Sequence, residues 1–430
     1  MTMTEPAKTF VGFGFGPIQS GLFIHEARQS GNFGRFVVCE IDDALVAAVR
    51  DNGGRCDVNI ARRDGVQAVE LRGVELYSPK DPAGREALIA AVAESDEIAT
   101  ALPSVEAYDA GGDASAASLL AEGLSRRARP APTILYAAEN HNHAAEILTE
   151  KLTGRGARGL EQFQALNTVI GKMSGVITDP GVIRSLGLAA IAPGLQRAVL
   201  VEEFNRILIS RVRLASCRRG IGVFEEKDDL LPFEEAKLYG HNAIHALIAY
   251  LADLRGLATI AEAGRDDRIM AVARRAFMDE SGAAMIARNG ATGDELFTPR
   301  GYRAYAEDLL ERMVCPHLHD LVSRVGRDHV RKLGYGDRLF GTMRLALEAN
   351  VEPVNLALGA AAGVMSMMKR REEPAPGPLP ASLPDSGDEI TADSLTKLLR
   401  AIWGKESGKP AETLIRLTWR AVERLRSGRW

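Results

Sequence analysis

Residues 10–23 read FVGFGFGPIQSGLF, an apolar run that passes through a glycine-rich turn into an apolar helical segment. A backbone that approaches a pyrophosphate closely needs residues without Cβ, and the N–H groups of the following helix then face the anion. Pro17 suits the first position of a helix, where no backbone N–H is needed. Gln19 stands where the dinucleotide-binding pattern has its third glycine. The turn by itself therefore also fits a strand–helix connection without a ligand.

The first half of the chain alternates short apolar runs with helical stretches. Continuous apolar runs without polar alternation are typical of strands buried on both faces of a parallel sheet, and they lie at 9–13, 36–39, 98–102 and 133–138. Helical spacing is found at 22–29, 42–50 and 85–94. Residues 66–77 are expected to form a small hairpin that turns at Arg72-Gly73. We predict an α/β domain over residues 1–230, a Rossmann-type doubly wound parallel sheet with an inserted hairpin.

From about residue 233 to residue 368 the strand signal disappears, and Ala/Leu-rich helical patterns follow one another. Breaks are expected at Gly290, at 299–301 and at Pro353. We predict an all-α C-terminal domain over residues 231–370. A Pro-rich linker over 371–390 and a helical tail over 391–430 complete the expected organisation.

Composition narrows the class of protein. The chain has 430 residues with 53 Lys+Arg and 57 Asp+Glu, a formal net charge of −4, which gives no general attraction to nucleic acid or to an anionic membrane. The longest apolar run, 358–368, is shorter than a membrane-spanning helix, and the N-terminus lacks a signal pattern. The four cysteines suggest neither a disulfide framework nor a zinc ribbon. We expect a cytoplasmic monomer or homodimer with a small-molecule substrate.

An acidic residue follows the second predicted strand. Glu40 directly follows the run 36–39. Its separation from the glycine turn along the sequence is close to that at which an acid contacts the adenosine ribose diol in dinucleotide-binding folds. Because its charge would repel a 2′-phosphate, the sequence favours NAD over NADP; the alternative is a solvated charge at the end of a strand. The expected cofactor residues are Gly14, Gly16, Pro17, Ile18, Gln19 and Glu40.

Residues 232–250 read PFEEAKLYGHNAIHALIAY, an apolar helix with several polar side chains. In a regular helix, Asn242, His245 and Glu234 fall about 140°, 80° and 60° from Lys237, on one side. Burial of such groups costs free energy unless something polar binds there. A lysine whose pKa is lowered to ~7–8 can remove a hydroxyl proton at neutral pH, and an amide can hold the developing alkoxide. The alternative is a structural pair of Lys237 with Glu234.

The pattern K-x-x-x-x-N-x-x-H from Lys237 to His245 resembles the signature of the mannitol dehydrogenase family, the polyol-specific long-chain dehydrogenases. Further similarities follow in the family's order. They are Glu139-Asn140 after a strand, E-S-G-A at 280–283, and the block 324–339 that ends in G-D-R-L. The resemblance covers roughly residues 9–50 and 130–368.

The resemblance implies an NAD-dependent oxidoreductase that interconverts a polyol, or a polyol phosphate, and the corresponding ketose without a metal. Lys237 would be the general base, and Asn140 and Asn242 would hold the reacting oxygen. His245 would orient a neighbouring hydroxyl, and Glu234 would gate the exit of the proton. Arg324 and Lys332 would reach the substrate chain. For Asn140 the alternative is the N-cap of the following helix.

The chain departs from the family at two places besides Gln19. The usual Val-Asp-Arg is absent, and in the corresponding stretch 172–180 only Asp179, displaced, could substitute. His143 stands where an arginine often follows the Glu-Asn pair. The substrate therefore stays open between a polyol, a polyol phosphate and a hexuronate whose carboxylate Arg324 and Lys332 could hold. A non-catalytic protein that binds NAD or a sugar phosphate is the alternative from another class. The histidine pairs, among them His241 and His245, lack an H-E-x-x-H motif, and no catalytic metal is expected.

Overall fold

The computed structural model describes residues 7–369 and 389–430. The chain divides into two compact units, Met1–Leu231 and Pro232–Trp430. The first is α/β and the second is helical, so the predicted fold class is confirmed. Most of the predicted Pro-rich linker lies outside the described residues.

Twelve strands belong to the first unit. They are β1 (Lys8–Phe13), β2 (Phe33–Cys39), β3 (Cys56–Arg62), β4 (Gly65–Leu71), β5 (Val74–Tyr77), β6 (Glu97–Thr100), β7 (Thr133–Ala137), β8 (Phe163–Val169), β9 (Ser174–Ile177), β10 (Ala198–Glu202), β11 (Leu208–Ser210) and β12 (Glu225–Lys227). The main sheet has the order β12-β11-β8-β7-β6-β1-β2-β5. From β5 to β8 all neighbours are parallel. The chain leaves β1 towards β2 and later returns to the other side of β1 at β6, which is the strand order of a dinucleotide-binding fold.

Side chains of the central strands alternate between two apolar cores. On β1 and β2, Phe10, Phe36 and Val38 belong to the core on one face, and Val11 and Val37 belong to the core on the other. Burial on both faces is why these strands read as continuous apolar runs. The helices of this unit are α1 (His25–Ser30), α2 (Asp43–Asp51), α3 (Pro82–Glu94), α4 (Ala116–Ser125), α5 (Ala144–Gly154) and α6 (Pro180–Ser185).

A second sheet, in the order β4-β3-β10-β9, was not predicted. The prediction of a hairpin over residues 66–77 was wrong. Strand β4 pairs antiparallel with β3, which precedes it, and β5 pairs with β2 in the main sheet. Gly73, with φ of +67°, lies between the strands where the chain passes from one sheet to the other. The alternating pattern is local, whereas the choice of partner strand is made by tertiary contacts.

The second unit is built from helices. They are α7 (Leu231–Ala236), α8 (Ala243–Leu254), α9 (Ile260–Ala263), α10 (Asp267–Arg275), α11 (Gly282–Asn289), α12 (Pro299–Met313), α13 (Val322–Gly326), α14 (His329–Lys332), α15 (Phe340–Glu348), α16 (Val354–Lys369), α17 (Ala392–Trp403) and α18 (Lys409–Arg426). The expected breaks at Gly290 and Pro353 lie between helices. Pro299 is instead the first residue of α12, where its missing N–H is tolerated. None of the helices over the described residues has the length and apolar character needed to cross a membrane.

Three helical turns are wider than an α-helix, with i→i+5 pairing: Gln19–Ile24, Lys237–Asn242 and Ala276–Ser281. Such π turns are rare and are often found at functional sites. The first follows the glycine-rich turn, and the second carries the lysine singled out from the sequence. A regular helical period could not predict them.

The C-terminal tail packs within the second unit. Trp403, at the end of α17, donates a hydrogen bond from Nε1 to the Leu333 carbonyl at 2.9 Å. The rings of Tyr335 and Phe340 contact the same indole, with centroids 5.3 and 4.8 Å away. The tail therefore supports the segment between α14 and α15, which carries basic residues discussed below.

Gly21 is expected to be a sensitive position of the first unit. A Cβ there would lie 2.6 Å from Val201 Cγ1 and 3.2 Å from Val58 Cγ1. We expect Gly21→Ala to lower the free energy of unfolding by about 1–3 kcal/mol, since overpacking moves both strands. Gly154→Ala is the matched control, because a Cβ at Gly154 meets nothing within 4 Å. Urea unfolding followed by circular dichroism measures both, and equal midpoints would contradict the prediction.

Candidate active site

The glycine-rich turn lies where the strand order of the main sheet reverses. Gly14 follows β1 with φ of +79°, and its N–H donates to the Cys39 carbonyl of β2 at 2.8 Å. On the other side, a Cβ on Gly14 would lie 3.0 Å from the Ala101 carbonyl oxygen, just after β6. In open α/β sheets the crevice at this reversal is where ligands bind.

The helix that follows begins at Gly16, whose carbonyl accepts from the Ser20 N–H at 2.9 Å. A Cβ on Gly16 would meet nothing within 4 Å, so the backbone borders open space. Pro17 and Ile18 form the first helical residues. This geometry leaves free N–H groups at the start of a helix next to a position without a side chain, as the binding of a pyrophosphate requires.

Gln19 is fully buried, and its amide atoms have no hydrogen-bond partner among the described residues. A Cβ on Gly12 of β1 would collide with this amide. The helix can therefore carry glutamine in place of the third glycine because the strand beneath it supplies the space instead. This departure from the pattern is explained by packing.

Glu40 is joined to the glycine-rich turn by a hydrogen bond. Its Oε2 accepts from the Phe15 N–H at 2.7 Å, and its Oε1 accepts from the N–H groups of Ile41 and Asp42 at 2.7 and 2.8 Å. A carboxylate has about four lone-pair positions. It can therefore accept a hydroxyl hydrogen bond in addition to these three.

Glu139 and Asn140 follow β7. Glu139 is buried and accepts from Thr100 Oγ1 and the Leu102 N–H, both at 2.9 Å, and from the Tyr108 hydroxyl. Burial raises the pKa of the Glu139 carboxyl. Asn140 is exposed. The N-cap of α5 is His143, so Asn140 does not have the capping position considered as its alternative role.

Asp179 was considered as a substitute for a substrate-binding acid. Its Oδ1 accepts from the N–H groups of Gly181 and Val182 at 2.6 and 3.0 Å, and it is the N-cap of α6. These bonds give Asp179 a local structural role. Its binding role stays a prediction.

Lys237 lies on a π turn, not on the regular helix that the spacing predicted. The turn Lys237–Asn242 lies between α7 and α8. One extra residue in a turn moves position +5 to about the direction that +4 has in an α-helix, so Asn242 falls about 40° and His245 about 20° from Lys237. The three side chains therefore share a narrower face than the sequence predicted.

The Lys237 ammonium is set up to lose its proton near neutral pH. Burial lowers its pKa to about 8, against the opposing charge of Glu234 and with a smaller contribution from the positive charge of Arg338. Glu234 is half-buried on the preceding turn. Arg338 is a residue that the sequence reasoning did not select.

Beside His245 lies an acid that was also missed. Its Nε2 lies 2.9 Å from Asp320 Oδ2, and Arg324 donates to Asp320 Oδ1 from Nη2 at 2.7 Å and from Nε at 3.1 Å. Burial alone would raise the pKa of Asp320, but the charges and hydrogen bonds of His245 and Arg324 lower it below its ordinary value. The spacing i, i+4 between Asp320 and Arg324 was the available sequence signal.

Lys332 is buried, and its Nζ donates to the Val325 carbonyl at 2.5 Å. Burial lowers its pKa to about 7, and the positive charges of Arg338 and Arg331 act in the same direction. Arg338 donates from Nε to Asp337 Oδ1 at 2.8 Å. Its charge thus acts on both lysines, Lys237 and Lys332.

The His241 ring lies next to that of His245, with centroids 5.9 Å apart. It is buried, and burial lowers its pKa well below the ordinary value, as do the nearby charges of His245 and Arg312. Over the described parts of the chain, no three His, Cys, Asp or Glu side chains are arranged to hold a metal ion.

The second unit is similar to a known domain. Residues 229–380 match the mannitol dehydrogenase C-terminal domain. This match includes the turn that carries Lys237 and the segments that carry Asp320, Lys332 and Arg338.

Two solved structures share the fold over nearly the whole chain. One is D-sorbitol dehydrogenase in substrate-free form, with a TM-score of 0.72 and 13% identity, covering 98% of this chain and 94% of that one. The other is Pseudomonas fluorescens mannitol 2-dehydrogenase in a ternary complex with NAD and D-mannitol, with a TM-score of 0.67 and 15% identity, covering 100% and 94%. At this identity the likeness establishes a common fold.

Replacing Asp320 is expected to make the stability of the protein less dependent on pH. The pKa of Asp320 is lowered in the folded state. Its contribution to the free energy of unfolding is therefore present above about pH 4 and is lost as the pH falls further. We expect Asp320→Asn to cost about 3 kcal/mol at pH 7, because it leaves His245 and Arg324 without their partner. The difference from the wild type should shrink towards pH 3.

Thermal unfolding at pH 7, 5 and 3 measures this difference. Asp308→Asn is the control, since Asp308 pairs with Arg312 at the same spacing of four but is 52% exposed. A destabilisation by Asp320→Asn that is equally large at pH 3 and pH 7 would show that the pair is not what holds His245.

Proposed function

We propose that this protein is an NAD-dependent oxidoreductase that interconverts a polyol and the corresponding ketose. The observation that carries the proposal is the Lys237 amine, whose pKa burial lowers to about 8 on the face it shares with Asn242 and His245. The match of residues 229–380 to the mannitol dehydrogenase C-terminal domain supports the same reading.

Each polar group of this face has a chemical task. The neutral Lys237 amine takes the proton of the reacting hydroxyl and returns it in the direction of reduction. The Asn242 amide donates a hydrogen bond to the oxygen as negative charge develops there. The Asp320 carboxylate favours a proton on Nε2 of His245, which leaves Nδ1 to accept a neighbouring hydroxyl. Glu234, one turn from Lys237, is placed to pass the proton on towards solvent.

The first unit fits NAD. Gly14 and Gly16 let the backbone approach a pyrophosphate at the start of a helix, and Glu40 can accept a ribose hydroxyl while its charge disfavours a 2′-phosphate. When bound, NAD would supply the acceptor for the hydrogen of the carbinol carbon. Asn140, which follows β7 in this unit, is proposed as a second amide for the reacting oxygen.

A phosphorylated or acidic substrate is the second candidate, as in a mannitol-1-phosphate 5-dehydrogenase or a hexuronate reductase. The charge of Arg338 lowers the pKa of both Lys237 and Lys332, so one guanidinium acts on two amines of this unit. A phosphate or carboxylate on the substrate would balance them better than a neutral polyol. Arg324, by contrast, already pairs with Asp320.

The substrate is tested by NADH absorbance with mannitol, sorbitol, arabinitol, mannitol 1-phosphate, fructose 6-phosphate and fructuronate. Turnover of the free polyols supports the first candidate, and turnover confined to the phosphates or the uronate supports the second. NADH binding without turnover of any of them would mean a non-catalytic binding protein.

Lys237 is expected to set the pH dependence. For polyol oxidation, kcat/KM should rise with pH and level off above about 8, since only the neutral amine accepts a proton. Lys237→Met should lower kcat by a factor of about 10² or more. Lys397→Met, at an exposed lysine of α17, is the control and should leave kcat unchanged. A variant at residue 237 that keeps the wild-type rate and profile would exclude Lys237 as the base.

Glu40 is expected to set the choice of cofactor. We expect Glu40→Gln to raise the Kd for NADH about tenfold while the Kd for NADPH stays the same or falls, since the negative charge that disfavours a 2′-phosphate is removed. Fluorescence titration measures both constants. The matched control is Glu70→Gln at an exposed position of β4. Equal weakening of the two cofactors would contradict the ribose-diol role.

A further inference from the structure

The turn Lys237–Asn242 is irregular in its backbone pairing. The Ala243 N–H donates to the Gly240 carbonyl, whereas in a regular α-helix it would donate to the Tyr239 carbonyl, four residues back. A buried carbonyl that loses its helical donor needs another partner. The hydrogen-bond donors that contact the Tyr239 carbonyl come from outside this helix.

Two buried hydroxyls reach the Tyr239 carbonyl. Ser281 Oγ donates to it at 2.9 Å, and Thr342 Oγ1 lies 3.1 Å from it. Ser281 ends the π turn Ala276–Ser281, and Thr342 is in α15, so the donors come from two separate elements. Both residues are fully buried. The carbonyl is therefore contacted by hydroxyls from two sides.

Each hydroxyl is itself fixed. The Ser281 hydrogen is used on Tyr239, so the Tyr302 hydroxyl, 2.8 Å away, donates to Ser281 Oγ. The Thr342 hydroxyl has one hydrogen, which is shared between the Tyr239 carbonyl and the nearer carbonyl of Arg338, the residue whose charge acts on Lys237. The second hydroxyl thus connects the lysine turn with the segment that carries Arg338.

Packing leaves the turn little freedom to move. A Cβ on Gly240 would lie 2.8 Å from Tyr302 Oη, and a Cβ on Gly341 would lie 2.7 Å from Tyr239 Cε1. Glycine at these two positions therefore lets Tyr302 and the Tyr239 ring pack closely against the turn and α15. The neighbouring helices are shaped around the wide turn.

We propose that Ser281 and Thr342 are positioning residues that maintain the wide turn through the Tyr239 carbonyl and so keep Lys237, Asn242 and His245 on one face. Without these donors, the Tyr239 carbonyl regains a partner by taking the Ala243 N–H in α-helical pairing. That change removes one residue from the turn and rotates Asn242 and His245 by about 100° relative to Lys237. The consequence for catalysis rests on the proposed function; the structural role does not.

Ser281 lies within 280–283, and Thr342 lies just after 324–339, the two downstream stretches of family resemblance. In 280–283, Ser281 holds the lysine turn, and Glu280 accepts from the N–H groups of Asn355 and Leu356 at 2.7 and 2.8 Å, at the start of α16. In the segment after Lys332, Thr342 holds the same turn from the other side. Both stretches therefore act on the backbone of the active-site helix.

The test compares Ser281→Ala, Thr342→Val and the double variant with the conservative Thr342→Ser. Ser366→Ala is the control, because Ser366 is an equally buried hydroxyl of the second unit that bonds Asp253 and His329 and not the turn. The readout is the rate of acetylation of Lys237 by acetic anhydride between pH 6 and 10, followed by peptide mass spectrometry. It reports the pKa of this amine in the folded protein and requires no substrate.

We expect the double variant to move the pKa of Lys237 away from about 8, since a rotation of about 100° between Lys237 and the buried helix α8 changes the burial and the charges around the amine. The groups that also act on this amine, Glu234, Arg338 and His241, are unchanged in every variant. Thr342→Ser should keep the wild-type pH dependence of Lys237 acetylation. Ser366→Ala should lower the stability of the protein without changing that pH dependence. If the double variant does not fold, the comparison is made on the two single variants.

With the substrate identified by the panel, kcat of the double variant should fall at least tenfold while the Kd for NADH stays the same. A folded variant whose Lys237 profile equals that of the wild type would overturn the proposal, as would an equal shift in Ser366→Ala. If none of the polyols, phosphates or acids reacts but the Lys237 profile moves as expected, the positioning role stands and the proposed function fails.

Discussion

The chemistry proposed for the second unit depends on the low pKa of one amine. Lys237 lies on an apolar helix, where its charged form is disfavoured, and the pKa falls to about 8 because burial outweighs the attraction of Glu234. A charge in such a place costs free energy, which a folded chain accepts where the group has a function. The wide turn, the Asp320–His245 contact and the buried Lys332 are all arranged within the same unit.

The irregular backbone and the polar side chains are parts of one arrangement. A regular α-helix would direct Asn242 well away from Lys237, and the π turn brings it back. The π turn itself needs hydrogen-bond donors for the Tyr239 carbonyl, and it needs a glycine at position 240, where the Tyr302 hydroxyl packs closely. The short polar motifs of the helical unit are thus explained by backbone hydrogen bonds as much as by contact with a ligand.

The first unit solves a different problem, the approach of a backbone to an anion. The Glu40 carboxylate accepts from the Phe15 N–H of the turn and from the N–H groups of Ile41 and Asp42 that follow it, so the turn and the acid form one local structure. Gln19 shows how the space for close packing can move from the helix to Gly12 on the strand. The pattern of glycines can vary while the geometry of the turn is kept.

Local chemistry in the sequence was sufficient for much of this protein. Apolar runs buried on both faces and the glycine turn predicted the parallel sheet, because each is a property of neighbouring residues. The spacing of Lys237, Asn242 and His245 predicted one side of a regular helix, but it is the π turn that brings Asn242 to about 40° from Lys237. Their roles in chemistry stay predictions.

The tertiary structure decided what depends on partners distant in the chain. Strand β4 pairs with β3 and not with β5, since strand choice is made by the whole sheet. Asp320 reaches His245, and Ser281 and Thr342 reach Tyr239, across separations that leave no periodic signal. The extra residue in the turn is likewise invisible to a period of 3.6, because external hydrogen bonds and packing make it stable.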